Sequence, residues 1–205
     1  MVRALVSGRY DDALRAAREG DEDGFRVLYR TVQPGLLRYL RVLVGEDAED
    51  VASETWLQVA RDLGRFRGDL DGFRGWVATI GRHRALDHLR RQQRRPISAD
   101  QVENLGELAA GDDTARAAET AIGTEAALAL ISTLPRDQAE AVVLRVVMGM
   151  DATAAARVLG KRPGAVRTAA YRGLRTLAKR LEQGGGTSPG GGVTHFETPA
   201  LKEVR

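Results

Sequence analysis

The chain has 205 residues and a formal net charge of +3; 43% of its residues are hydrophobic, 5% are aromatic and none is cysteine. The lack of cysteine excludes disulfides, thiolate metal sites and cysteine nucleophiles, and it fits a reducing cytoplasm. No long apolar run marks a signal peptide or a membrane span, so we expect a cytoplasmic protein without membrane insertion.

Helix-forming residues are abundant and alternating β-branched runs are nearly absent, which predicts an all-α protein. Changes in composition divide the chain into two small helical domains, 1–95 and 125–183, joined by a flexible acidic linker, 96–124. The linker is either a simple tether or an acidic segment that competes with nucleic acid. The Gly-rich tail, 184–205, is predicted to be disordered.

The first domain begins with a short amphipathic segment, 11–19, and a helix that starts at an acidic cap around Asp21. Pro34 is predicted to interrupt this helix, which then continues as an apolar segment and ends at Gly45. The apolar side chains recur at helical spacing, as expected for the core of a small domain.

The next predicted helix, 46–63, has two distinct faces. One face is apolar and contains Trp56, which we expect in the core. The other face is acidic with a leucine inside it, a pattern that favours a protein partner. The members of this acidic face are Asp47, Asp50, Glu54 and Leu57.

A glycine-bounded loop, 64–72, leads directly into a basic segment, 73–95. The loop carries Arg65, Phe66 and Arg67, and loops on a rigid scaffold often carry recognition. The basic segment holds seven arginines and a single acid. Because most of these arginines have no acid three or four residues later in the helix, we predict that they are not neutralised locally and bind a polyanion. The exposed stripe of this helix is predicted to contain Thr79, His83, Arg90 and Arg94.

Four helices are predicted in the second domain, at 125–134, 136–147, 152–159 and 163–181. Pro135 and Pro163 suit helix starts, Asp151 suits a cap, and Gly160 suits a turn. The apolar residues of these helices that are predicted to face the core are Ala139, Val142, Val143, Val146, Val166, Ala170, Leu174, Leu177 and Leu181. The small alanines of the third helix predict a second domain that is less stable than the first.

The last two helices form a helix, a short glycine-containing turn and a helix with a basic outer face. This is a helix-turn-helix organisation, which typically binds DNA in the major groove. The outer face of the last helix is predicted to contain Arg167, Thr168, Tyr171, Arg172 and Arg175. Two further cations, Lys161 and Arg162, immediately precede that helix.

Together these motifs resemble a known family, the small extracytoplasmic-function group of the sigma-70 RNA polymerase sigma factors. The resemblance covers roughly residues 21–95 and 125–182, in the order that the family has. It is carried by the segments DAEDVASETW, RFRG, FRGWVATIGRHRALDHLRR, LPRDQAEAVVLRVVMGM and GKRPGAVRTAAYRGLRTL.

The resemblance implies a transcription initiation factor whose first domain binds core RNA polymerase and melts the promoter's −10 element. The second domain would recognise the −35 element in duplex DNA, and an anti-sigma partner is expected. The implied polymerase contacts are Asp47, Asp50, Glu54 and Leu57. The implied −10 contacts are Arg65, Phe66, Arg67, Thr79, Arg82, His83, Arg90 and Arg94. The implied −35 contacts are Lys161, Arg162, Arg167, Thr168, Tyr171, Arg172 and Arg175.

Extrusion of a base costs a few kcal/mol, which stacking on an aromatic ring and contacts to phosphates offset. Phe66 is the predicted stacking residue, whereas Trp76 is expected in the core. We predict no enzyme, no cofactor and no metal site, because His83 and His88 are five residues apart and do not share a helix face as metal ligands do.

Two other functions fit parts of the sequence. A two-domain helix-turn-helix regulator would bind duplex DNA without polymerase, but it would not need the acidic face around Leu57. A helical scaffold that binds only proteins would leave both basic helices unexplained. Addition of the protein to core polymerase and a promoter library separates these functions, since only a sigma factor produces new start sites.

Overall fold

The computed structural model describes residues 2–94 and 115–184, with side chains from 10 to 94 and from 123 to 183. These residues are helical and contain no strand, in agreement with the predicted all-α fold. The helices are α1 (Val2–Arg18), α2 (Glu22–Val44), α3 (Ala48–Asp62), α4 (Leu70–Arg94), α5 (Ala115–Ser132), α6 (Arg136–Val142), α7 (Ala152–Leu159) and α8 (Pro163–Gly184). A π-helical turn, Val143–Val147, extends α6.

Helices α1 to α4 form the first unit. The side chain of Asp21 accepts a hydrogen bond from the amide of Gly24 at 2.6 Å and so caps α2, as predicted. Pro34 does not interrupt α2, which is one continuous helix. Pro34 is exposed, so the carbonyl group that loses its donor one turn earlier lies on the solvent side of the helix.

The core of the first unit is built from α2, α3 and α4 around Leu28, Leu36, Val59, Phe73 and Val77, all fully buried. Helix α1 packs on α2 at very close range. A Cβ atom at Gly24 would lie 2.7 Å from the carbonyl oxygen of Ala13, so only glycine permits this contact.

Helices α5 to α8 form the second unit, and α7 and α8 are its helix-turn-helix. The side chain of Asp151 accepts a hydrogen bond from the amide of Ala154 at 2.7 Å and caps α7. Gly160 ends α7 in the left-handed conformation, with φ of 63°. These are the cap and the turn that the sequence predicted.

Three residues predicted to face the second core are exposed instead: Val146 (57%), Leu174 (44%) and Leu181 (64%). For Val146 the reason is the π-helical turn, whose wider winding turns this side chain away from its buried neighbours Val142 and Val143. On α8, Leu177 still packs against the core, whereas Leu174 and Leu181 are left exposed by the described chain.

Helix α5 begins at Ala115, within the segment 96–124 that the sequence assigned to the linker. The remainder of the predicted linker before residue 115 lies outside the described residues, as does the predicted tail from residue 185. The proposed competition between the acidic linker and nucleic acid therefore stays a prediction. Among the described helices, none combines the length and the apolar character needed to cross a bilayer.

The two units are packed against each other along a contact surface that we call the seam. Helices α2 and α4 form its first side, and α5, α6, α7 and the π-helical turn form its second. Tyr39 of α2 and Ala78 of α4 are fully buried there and belong to the same apolar cluster as the core of the second unit. The sequence predicted two units but not this direct packing.

Candidate nucleic-acid interface

The loop before α4 is held in place by aromatic packing. The ring of Phe66 stacks on the indole of Trp76, with centroids 5.0 Å apart, and meets the ring of Phe73 edge-on at 5.6 Å. Phe66 is therefore half-buried rather than freely presented. Trp76, which we expected in the core, is also only half-buried and forms the outer layer of this cluster.

Arg65 and Arg67 flank Phe66 and are both exposed. One guanidinium nitrogen of Arg67 donates to the carbonyl oxygens of Gly64 and Phe66, each at 2.8 Å, and this fixes the curve of the loop. Arg65 makes no ion pair with any described residue. The loop thus presents one tethered and one free cation beside an aromatic surface.

Most arginines of α4 are paired with carboxylates, but the prediction that they are not neutralised locally is wrong only for the two whose partner lies three residues earlier. Five of the six described arginines make ion pairs with carboxylates: Arg74 with Asp71, Arg82 with Glu140, Arg84 and Arg91 with Glu54, and Arg90 with Asp87. All four carboxylates lie either on another helix or three residues before their arginine, where a search for acids later in the same helix does not find them. Within the described part of the chain, Arg94 alone of this group has no acidic partner.

The predicted stripe of α4 is only partly accessible. His83 and Arg94 are exposed, and the ion pair between Arg90 and Asp87 lies on the surface, with both side chains more than half exposed. Thr79 is half-buried, and its hydroxyl donates to the carbonyl oxygen of Gly75 at 2.8 Å. Thr79 lies at the edge of the seam, where it helps to line a cavity of about 480 Å³ between α4 and the start of α7.

Arg82 is the residue of the predicted interface that the structure most clearly withdraws from solvent. Its Nε atom donates to Glu140 of α6 at 2.6 Å across the seam. The same carboxylate accepts the hydroxyl of Tyr39 at 3.1 Å and the Nε of Arg136 at 2.9 Å. Glu140 is 1% exposed, so its charge is compensated almost entirely by these three donors.

Burial raises the pKa of the Tyr39 hydroxyl well above its usual value, and the neighbouring Glu140 carboxylate raises this pKa further. Burial alone would lower the pKa of Arg82, but its hydrogen bond to Glu140 and the attraction of that carboxylate outweigh this and raise it. Tyr39 therefore stays protonated as a donor, and Arg82 stays charged.

The acidic face of α3 is divided between internal pairing and free surface. Asp47 bonds to His88 at 3.0 Å and to Gln92 at 2.8 Å, so it fastens the start of α3 to α4. Glu54 pairs with two arginines of α4. Asp50 is exposed without an ionic partner in the described chain, and Leu57 is 59% exposed beside it.

The outer face of α8 is the most accessible cationic surface of the described chain. Five predicted contacts of this helix are exposed, with Tyr171 at 66%, and they are Arg167, Thr168, Tyr171, Arg172 and Arg175. None of the three arginines has an acidic partner among the described residues. Arg162 is exposed in the same way, whereas Lys161 pairs with Asp137 of α6.

Comparison with known proteins relates this geometry to a family. A family model described as sigma-70 region 2 matches residues 28–95, and one described as sigma-70 region 4 matches residues 124–177. The chain is 32% identical over 181 residues to the ECF RNA polymerase sigma factor BldN of Streptomyces coelicolor, covering 85% of this chain and 67% of that protein. The chain belongs to the ECF group of the sigma-70 family. This sigma factor is accordingly a transcription initiation factor that directs RNA polymerase to promoters, and not an enzyme.

Other relatives of this sigma factor agree with that conclusion. It is 33% identical over 181 residues to the sigma factor ShbA of Streptomyces griseus, covering 82% of this chain and 92% of that protein. It is 30% identical over 184 residues to SigD of Mycobacterium tuberculosis, covering 86% of each. The match to region 2 coincides with the first unit from residue 28 onward, and the match to region 4 lies in the second unit, where it contains α7 and α8 as far as residue 177.

Two solved structures share the fold of this sigma factor. The structure of CnrH in complex with the cytosolic domain of CnrY matches with a TM-score of 0.60 at 22% identity, covering 85% of this chain and 98% of that one. The complex of RpoE with the anti-sigma factor NepR from Bartonella quintana gives 0.59 at 20% identity, covering 77% and 96%.

Sequence reasoning did not identify Glu140 and Tyr39 as members of this site. Glu140 lies among apolar residues in the stretch from Ala139 to Leu144. A single acid on a buried face indicates that a basic or hydrogen-bonding side chain elsewhere in the fold pairs with it. That partner was not identifiable, because Arg82 lies 58 residues earlier in the chain and Tyr39 lies 101 residues earlier.

Proposed function

We propose a division of labour among three surfaces of this sigma factor, which acts on core RNA polymerase in the cytoplasm. The acidic face of α3 binds core polymerase, α4 and its preceding loop hold the melted −10 element, and the outer face of α8 recognises the −35 element. The observation that carries the proposal is the outer face of α8, the second helix of the helix-turn-helix, whose exposed arginines have no acidic partner among the described residues.

The polymerase surface is centred on Leu57 and Asp50. Exposed leucine surrounded by carboxylates suits a partner with an apolar pocket and a basic rim. Asp47 and Glu54 contribute to this surface chiefly by holding α3 on α4, since both are engaged with side chains of α4. The shape of the polymerase surface therefore depends on Asp47 and Glu54, even though they do not themselves need to contact polymerase.

The −10 surface combines the loop cations with the exposed side of α4. Arg65, His83 and Arg94 are available to phosphates in the described arrangement. Arg90 becomes available when a phosphate replaces Asp87, since an exposed ion pair contributes only about 0–1 kcal/mol. The exposed edge of the Phe66–Trp76 stack offers an apolar surface for an extruded base.

The −35 surface has the arrangement that a recognition helix needs. Arg167, Thr168 and Tyr171 lie on the second and third turns of α8, in the N-terminal half of the helix that contacts base edges. Arg162, Arg172 and Arg175 flank them and suit phosphate contacts, which position the helix without specifying sequence. Lys161 joins this set when its pairing with Asp137 is exchanged for a phosphate.

Transcription with purified components tests the proposal. The protein is added to core polymerase with a promoter library, and new start sites are mapped. We expect initiation that requires the protein, and Arg167→Ala should reduce it chiefly at promoters that depend on the upstream element. Lys179→Ala, an exposed cation near the end of the same helix, is the matched control and should retain initiation.

The alternative regulator gives the opposite result in this experiment. A helix-turn-helix protein that acts without polymerase binds the duplex by itself and yields no protein-dependent start sites. An anti-sigma partner is a further part of the proposal, in keeping with the structural neighbour RpoE, which was solved in complex with the anti-sigma factor NepR. Addition of such a partner would be expected to abolish both initiation and the binding of this sigma factor to core polymerase.

A further inference from the structure

The seam contains the most deeply buried charge of the described chain. Glu140 is 1% exposed, and it accepts hydrogen bonds from both units: Tyr39 and Arg82 belong to the first, and Arg136 belongs to the second. A buried carboxylate is tolerated only when such donors surround it. The site of the carboxylate is therefore complete only when the two units are in contact.

Contact between the two units at the seam makes part of the −10 surface inaccessible to DNA. Arg82, a proposed phosphate contact, has its Nε committed to Glu140. Ala78, one turn earlier on α4, is fully buried against the second unit, and Thr79 faces the cavity beside α7. The outer face of α8 is exposed in the same arrangement, so closure affects one DNA-binding surface and spares the other.

We propose that Glu140 is an intramolecular latch that competes with the melted promoter strand for Arg82. Its carboxylate binds the guanidinium group in the closed arrangement, and a backbone phosphate of the strand takes its place when the units separate. The role of Arg82 toward DNA rests on the proposed function, whereas the closing role of Glu140 does not.

The chemistry of the two anions supports this exchange. Carboxylates and phosphates each present at least two oxygen acceptors. The planar guanidinium group of arginine can donate to two of them at once, so arginine is the preferred partner of both. Separation of the units returns Glu140 and Arg82 to water, which offsets much of the attraction that is lost. A ligand that binds only the open arrangement, as a strand phosphate at Arg82 would, shifts the population toward it.

A distance measurement tests the latch directly. The chain has no cysteine, so cysteines introduced at the exposed positions Ala60 of α3 and Ala178 of α8 carry spin labels at two defined sites. Pulsed electron paramagnetic resonance should give a dominant narrow distance distribution for the labelled wild type. Glu140→Gln keeps the side-chain volume but removes the charge, and it should add a broad population at longer distances.

Two further variants make the distance measurement specific. Glu125→Gln is the matched control, because Glu125 also faces an arginine of the first unit, Arg41, but at 4.0 Å and with more than half of its side chain exposed. It should leave the distribution unchanged, since exposed pairs contribute little. Tyr39→Phe removes one donor and keeps the ring, and it should open the seam in the same direction by a smaller fraction. Unchanged distributions in folded Glu140→Gln and Tyr39→Phe would overturn the latch.

A binding measurement tests the competition for Arg82. The probe is a single-stranded oligonucleotide of mixed sequence, titrated by filter binding at fixed salt. If the open fraction rises from about a tenth to nearly all of the protein, Glu140→Gln should bind about tenfold more tightly. Opened protein that binds no more tightly than the wild type would overturn the competition, while the distances alone decide the closing role.

The contribution of Arg82 is measured in the opened protein. Glu140→Gln with Arg82→Ala should bind the oligonucleotide less tightly than Glu140→Gln alone. A plot of log affinity against log salt concentration should have a slope shallower by about 0.7 for the double variant than for Glu140→Gln, because about 0.7 is the contribution of one phosphate of a single strand. Equal affinity and equal slope would show that Arg82 does not contact the strand, which contradicts its proposed function and leaves the measured closure intact.

Discussion

Single residues in this sigma factor hold surfaces together that are far apart in sequence. Tyr39 is fully buried, and its hydroxyl provides one of the three donors to Glu140. A hydrogen bond to a charged acceptor contributes more than one between neutral groups, because a buried charge left without donors is costly. The hydroxyl of Tyr39 therefore has a role that its apolar surroundings would not suggest.

Tyr39→Phe should lower the free energy of unfolding by about 1.5–3 kcal/mol, the range for a hydrogen bond to a charged group. The ring is retained, so no cavity adds to the effect. Urea denaturation at neutral pH measures the difference. Tyr10→Phe serves as the control, since Tyr10 is half-buried and bonds to none of the described carboxylates. Equal losses in both variants would contradict the role of the Tyr39 hydroxyl.

The raised pKa of Tyr39 makes stability depend on pH in the alkaline range. The folded protein keeps this hydroxyl protonated while the unfolded chain releases its proton near pH 10. The unfolded state therefore binds fewer protons there, and the free energy of unfolding should fall as pH rises beyond about 10. Denaturation at pH 9 and pH 11 should show a smaller fall for Tyr39→Phe than for the wild type.

Leu57 should affect polymerase binding without affecting the fold. Because its side chain is 59% exposed, Leu57→Ala should leave the midpoint of thermal unfolding unchanged and should weaken the affinity for core polymerase at least about fivefold, or roughly 1 kcal/mol. Leu181→Ala is the matched control, an equally exposed leucine on α8. Equal affinity of both variants for polymerase would argue against the α3 surface.

At the scale of helices, much of the fold was predictable from local signals. The caps at Asp21 and Asp151 and the turn at Gly160 are set by a side-chain acceptor or a left-handed backbone within four residues. Two features were not predictable in this way. Pro34 is accommodated inside α2 because it lies on the solvent-exposed side of the helix. Val146 is turned outward by a π-helical turn that no residue type specifies.

The crossing of α1 and α2 depends on Gly24. A methyl group there would meet the carbonyl oxygen of Ala13 at 2.7 Å and the amide nitrogen of Ala17 at 2.8 Å, both of them backbone atoms that cannot rotate away. Gly24→Ala should therefore destabilise the protein by about 1–3 kcal/mol, as overpacking does. Thermal unfolding and the protection of α1 amides from hydrogen exchange measure the effect.

Gly75→Ala is the control for this substitution. It lies in α4, where an added Cβ atom meets nothing within 4 Å. Alanine is favoured over glycine inside a helix by about 1 kcal/mol, so this variant should be slightly more stable than the wild type. Destabilisation of both variants would indicate that backbone freedom, and not the crossing of the helices, accounts for Gly24.

At the scale of the whole molecule, the two units and their family were predictable, whereas their arrangement was not. The motifs of each unit are local and lie in the right order along the chain. The seam instead depends on Arg82 and Glu140, which only the tertiary fold brings together. The same pairing explains why a count of acids near each arginine overestimated the free positive charge of α4.

The two DNA-binding surfaces should respond differently to opening of the seam. The outer face of α8 is exposed in the closed arrangement, so Glu140→Gln should leave the affinity for a −35 duplex unchanged. Arg172→Ala should lower that affinity, and its salt slope should be shallower by about 0.9, the value for one phosphate of duplex DNA. Gel-shift titrations across salt concentrations check both statements. Tighter duplex binding by Glu140→Gln would show that the seam also restrains α8.

Both tryptophans of the chain, Trp56 and Trp76, lie in the first unit, on α3 and α4. Intrinsic fluorescence therefore reports on that unit alone, while far-ultraviolet circular dichroism reports on the helices of both. A single denaturant titration followed by the two signals resolves which unit unfolds first, without any label. Ellipticity lost ahead of the emission change would identify the alanine-rich second unit as the weaker one.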